Sequence, residues 1–91
     1  MPVIKMPSPF RSYTQGLLEV PVQGATAAEA MQNLVFLYPG LLPHLYNSQG
    51  SLRPFVNLFL GEENIKSLQG LDTPVGENDV LRLVPSVAGG S

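Results

Sequence analysis

The chain has 91 residues, with five Lys and Arg against seven Asp and Glu for a net charge of -2, and with 44% hydrophobic and 13% charged residues. That is the size of one small domain, able to bury only about 60% of the surface its unfolded form exposes, and the lack of a basic cluster excludes nucleic acid as a partner. No Cys is present, which removes disulfides, thiolate metal ligands and a thiol nucleophile. The segment Met1 to Phe10 contains three prolines and no apolar run of signal-peptide type, and Pro39, Gly40 and Pro43 interrupt the longest apolar stretch, Leu34 to Tyr46. The expectation is a soluble cytoplasmic protein with no membrane partner.

Taken in chain order, Val3 to Met6 reads as a short strand. Leu17 to Val22 reads as a second, with Leu18, Val20 and Val22 on one face. Between them, Pro7 and Pro9 argue against a helix in "PSPFRSYTQG" and favour a long hairpin connection. Thr26 followed by Glu29 is a capping-box pair, and Ala27, Ala30, Leu34 and Leu37 then recur at helical spacing until Pro39 and Gly40 stop the pattern. "LLPHLY" suggests one further helical turn, and "NSQGS" turns the chain.

Phe55 to Leu60 is almost wholly apolar, as a central strand would be. Gly61 opens a turn, Ile65 to Leu68 reads as a short edge strand, and Val80 to Val84 as the last strand, with Pro85 stopping its ladder. One helix covers only one sheet face. If that face carries Ile4, Met6, Leu18, Val20, Val22, Val56, Leu58, Leu60, Leu81 and Leu83, then Val3, Lys5, Phe55, Asn57, Phe59, Arg82 and Val84 line the other. An apolar centre rimmed by charge is a protein-binding pattern. The alternatives are that the loop around Phe10 covers this face, and that Phe55 and Phe59 are ordinary sheet packing.

The order of these elements, with "PSPFRSYTQG", "GATAAEAMQNL", "YPGL", "FVN", "GLDTPV" and the terminal "AGG", resembles the β-grasp sulfur-carrier family. That family includes the small subunit of molybdopterin synthase, the thiazole-synthesis carrier and the carrier that feeds cysteine synthesis. The resemblance implies an α+β fold, a mixed four- to five-stranded sheet on one main helix spanning residues 1–85, followed by a flexible Gly-Gly tail at 86–91. It also implies a function. An ATP-using, ubiquitin-activating-type enzyme adenylates the terminal glycine carboxylate, here Gly90, and sulfur transfer converts it to a thiocarboxylate delivered to an acceptor synthase. The carrier itself binds no cofactor or metal and has no catalytic residue.

Val87, Ala88 and Gly89 would thread the partner's channel, since glycine passes where a Cβ would not; a frayed or appended end is the plain alternative. Ser91 departs from the family ending. While it is attached, Gly90 carries an amide and cannot be adenylated, so either a peptidase cleaves between Gly90 and Ser91 or the serine is an addition. The expected partner face comprises Lys5, Phe55, Phe59, Arg82 and Val84, with Arg11 and Arg53 nearby. His44, the single histidine, has no partners for a metal site or triad, and the carboxylates read as solvated charge. A ubiquitin-like modifier joined through Gly90 and a plain interaction domain are the competing functions. The stretch "RPFVNLFLGEENI" leans toward the cysteine-synthesis carriers.

Overall fold

The structure, a computed structural model, describes residues 1–85. Five strands form one mixed sheet: β1 (Val3–Lys5), β2 (Glu19–Pro21), β3 (Val56–Leu60), β4 (Glu63–Asn64) and β5 (Val80–Pro85), in the order β2-β1-β5-β3-β4. β1 and β5 run parallel, and every other neighbouring pair is antiparallel. Helix α1 (Ala27–Leu37) and the short helix α2 (Leu42–Leu45) supply buried residues from outside the sheet.

α1 starts where the capping box placed it. Thr26 accepts the Glu29 N–H through its hydroxyl oxygen at 3.2 Å, while the Glu29 carboxylate accepts the Ala25 N–H at 2.8 Å, one residue earlier than the usual reciprocal bond. Entry into the helix is tight, because a Cβ on Gly24 would stand 2.7 Å from the Ala30 backbone nitrogen. The buried helical stripe is Ala27, Ala30, Met31 and Leu34, at i, i+3, i+4 and i+7. Leu37, expected inside, is 53% exposed. Pro39 ends the helix one residue after Tyr38 and bends the chain into a 3-10 turn, Pro39–Leu41, so that the fully buried Leu41 occupies the core instead.

Other differences from the sequence-based expectations have local causes. The segment Ser8–Thr14 is a 3-10 helix with Pro at its first turn, where the missing proline N–H would have had no helical partner. It ends on Gln15 in the left-handed region, and Thr14 is buried with its hydroxyl directed at the Arg11 and Leu17 carbonyls, 3.2 and 3.1 Å away. β2 therefore begins only at Glu19. Leu18, before the strand starts, is 57% exposed and uses its carbonyl to accept the Met6 N–H at 2.7 Å.

The edge strand beyond β3 is Glu63–Asn64, reached through a turn at Gly61 with φ of 64°, and Ile65–Ser67 is a 3-10 turn rather than a strand. Ile65 is buried there, which explains its apolar character without a ladder. β3 is flanked by β5 and the two-residue β4, so the middle of the sheet is β5. Pro85 belongs to β5 as its last residue, in register with Val56.

Eight of the ten residues assigned to the covered face are buried: Ile4, Met6, Val20, Val22, Val56, Leu58, Leu81 and Leu83; Leu60 is half-buried and Leu18 exposed. The α1 stripe, Leu41, Leu45, Phe10, Ile65 and Val75 complete the core.

Candidate functional site: the open sheet face and the root of the tail

Cross-strand partners share a face, so the register fixes which side chains stand together. One row crosses the whole sheet: Glu19 is paired with Lys5, Lys5 with Arg82, Arg82 with Phe59, and Phe59 with Asn64. The Arg82 guanidinium carbon lies 4.8 Å from the centre of the Phe59 ring, a cation–π contact across the β5–β3 ladder. The next row pairs Val84 with Asn57. The Asn57 amide oxygen accepts from Asn64 Nδ2 at 3.2 Å and Lys66 Nζ at 3.3 Å, and its Nδ2 donates to the Phe55 carbonyl at 3.4 Å.

None of the seven residues expected on this face is buried. The segment around Phe10 leaves the face open, since Phe10 joins the core and its ring lies 6.1 Å from that of His44 in α2. His44 is itself held against Tyr13, ring centres 4.6 Å apart, which is a packing role. Lys5, Phe59, Arg82 and Val84 come together as expected. Phe55 differs: it precedes β3 in a turn and packs against the margin of the core, so the aromatic presented within a strand on this face is Phe59.

The polar group of Asn57, Asn64 and Lys66 was not singled out from the sequence. Asn57 and Asn64 sit on opposite sides of the Gly61 turn, and only the turn geometry brings them within reach. Among the described residues no cluster of three His, Cys, Asp or Glu side chains could hold a metal, and no helix is long and apolar enough to cross a membrane.

β5 outruns its parallel neighbour. The β1–β5 ladder ends at Lys5 and Arg82, whereas β5 continues to Pro85 with β3 paired along its other side. β1 itself ends at Lys5, and the Met6 N–H still bonds the Leu18 carbonyl on the β2 side before the chain enters the 3-10 segment. Between that segment and β5 lies a groove of about 460 Å³, walled by Pro7 and Pro9 on one side and Leu83, Val84 and Pro85 on the other, with Lys5, Arg11 and Arg82 around it. Arg11 is fixed there by its Nε, which donates to the Met6 carbonyl at 3.2 Å. Residues Val87, Ala88, Gly89, Gly90 and Ser91, expected to thread, carry sulfur or be cleaved, lie outside the described residues; the chain leads to them directly from this groove.

Comparison with known proteins agrees with this architecture. The chain is 30% identical over 89 residues to the sulfur carrier protein CysO of Mycobacterium tuberculosis, covering 96% of each chain. It is 32% identical over 79 residues to a putative sulfur carrier protein of Archaeoglobus fulgidus, covering 87% of this chain and 90% of the relative. Among solved structures, a chain of the Amycolatopsis orientalis BexX/CysO complex superposes with a TM-score of 0.86 at 28% identity, over 99% of this chain and 100% of that one. Small archaeal modifier protein 1 of Haloferax volcanii superposes with a TM-score of 0.79 at 25% identity, over 98% of both chains. The fold is the β-grasp shared by these proteins, and with the ThiS family model matching residues 4–90, the chain belongs to the ThiS family.

Proposed function

We propose that this protein is a sulfur carrier whose Gly90, once Ser91 is removed, is adenylated by an ATP-using activating enzyme and converted to a thiocarboxylate. The observation that carries the reading is the family match, which runs through residue 90 and so includes the glycine pair. Adenylation joins the Gly90 carboxylate to the α-phosphorus of ATP and expels pyrophosphate. A sulfur nucleophile then displaces AMP and leaves the acyl carbon bearing sulfur. None of this requires a catalytic group on the carrier. What the carrier contributes is a rigid body, a surface that orients it on the partner, and an acyl end without a side chain.

The sheet face suits the second task. Phe59 with Arg82 over its ring offers an apolar contact and a positive charge at one place, and Lys5 adds a second cation in the same row. Such charges act mainly on the rate and orientation of docking. The activating enzyme, an acceptor synthase and a peptidase acting before Ser91 are the partners this reading requires. The CysO relatives favour an acceptor in cysteine biosynthesis over one in molybdenum cofactor biosynthesis.

Intact-mass measurement of the protein from its native cell tests the proposal. The expected result is loss of the seryl residue with one terminal oxygen replaced by sulfur. Deleting Gly90 and Ser91 together should abolish transfer and leave the fold unchanged; undiminished transfer by that truncated chain would refute the reading. The likeness to a small archaeal modifier protein favours one second reading, attachment of Gly90 to lysines of other proteins. Isopeptide-linked species of high mass in cell extracts would select it.

A further inference from the structure

We propose that the groove at the root of the tail is a docking site for an extended acidic segment of a protein partner, which adds to the sheet alongside Leu83–Pro85 in the place that β1 vacates. Two independent observations carry this. The first is backbone geometry. Strand β5 is laddered to β3 along its whole length, but among the described residues its ladder with β1 ends at Arg82, and the groove opens beyond that pair. On this side the strand offers the carbonyls of Leu83 and Pro85 as acceptors, Pro85 having no N–H, so an extended segment would dock by donating its own N–H groups to them. Three residues of such a peptide span about 10 Å, matching the unpaired stretch.

The second is charge. The protein is net acidic, yet three of its five cationic side chains, Lys5, Arg11 and Arg82, line this groove, and no Asp or Glu does. The nearest acid in the sheet row is Glu19, across Lys5 in β2. Arg82 is held over Phe59 and Arg11 is tied to the Met6 carbonyl, so two of the three are restrained by contacts that leave their charge uncompensated by a carboxylate among the described residues. Apolar walls with a cationic border fit a strand that alternates apolar and acidic residues. Its apolar side chains would contact the prolines and Val84, and its carboxylates would reach the cations. A partner engaged in this way would grip the residues directly before 86–90, which positions that segment for delivery; that consequence, though not the docking itself, rests on the carrier reading.

The test uses the full chain, ¹⁵N-labelled, titrated with the blocked peptide Glu-Val-Glu-Val-Glu and, separately, with Lys-Val-Lys-Val-Lys. The expected outcome is saturable amide shifts confined to residues 5–11 and 82–85 with the acidic peptide only, weakened by added salt. Lys5→Glu and Arg11→Glu should each weaken binding roughly fivefold or more, as reversal of one ion pair implies, and the spectra themselves report whether each variant is folded. Should Arg11→Glu not fold, Lys5→Glu decides alone. Shifts centred on α1 or β2, an equal response to the lysine peptide, absence of binding, or indifference to both substitutions would overturn the proposal. Thiocarboxylate formation is read separately by mass. A chain that binds the peptide but never carries sulfur keeps the groove and loses the carrier reading, and the reverse result does the opposite.

Discussion

At the scale of single residues, Tyr46 carries the clear electrostatic signature among the described residues. It is half-buried against the core just after α2, and burial pushes its phenol above the ordinary value near 10, because the phenolate would lose hydration. The folded state therefore holds that proton more tightly than the unfolded one. The stability this represents is fully present below the unfolded pKa, about 10, and is lost as pH rises through the higher folded value. Denaturant unfolding between pH 9 and 11 should show a falling stability that Tyr46→Phe flattens; equal slopes in the two proteins would contradict the assignment. Residue identity also explains what was legible in the sequence. Lys5, Phe59, Arg82 and Val84 were placed together by period-two alternation alone, since strands hold side chains on alternate faces. Phe55 lies in a turn one residue before β3 begins, and of the two alternatives for it the structure shows packing against the core margin.

At the scale of elements, the helix start was readable because a capping box is a local device, involving residues three apart. Thr26→Ala removes the acceptor for the Glu29 N–H and should cost about 1 kcal/mol, seen as a drop in Tm of roughly 4–8 °C for a domain of this size. A Thr26→Ser variant, which keeps the acceptor, should lose much less. Where the reading failed, the deciding contact was distant in sequence. Leu37 fits the helical stripe as well as Leu34 does, yet the bend at Pro39 brings Leu41 into the core in its place. Ile65 to Leu68 looked like a strand because Ile65 is buried, yet its burial is achieved from a 3-10 turn. The polar group around Asn57 joins strand β3 to Asn64 and Lys66 across the turn, a meeting that propensity and period do not encode.

At the scale of the molecule, sheet order was the least accessible feature. A run as apolar as Phe55 to Leu60 marks an interior strand, and β3 does lie between two neighbours, but its order among them is a matter of pairing, and the middle position belongs to β5. Leu81 shows what that position means. It is fully buried and in register with Ile4 on one side and Leu60 on the other. Leu81→Ala should therefore cost about 2–5 kcal/mol, a large part of the roughly 5–14 kcal/mol expected for a chain of this length. Thermal unfolding should show a far larger loss than for Val80→Ala, whose side chain lies on the open face; similar losses would mean that β5 is not the structural centre.

The placement of β5 also has a mechanical meaning. On the carrier reading, a partner that handles the residues after Pro85 loads the innermost strand, which is held by β3 along its length and by β1 from Val80 to Arg82. Two neighbours share that load, so the domain resists being unravelled from the end the partner handles.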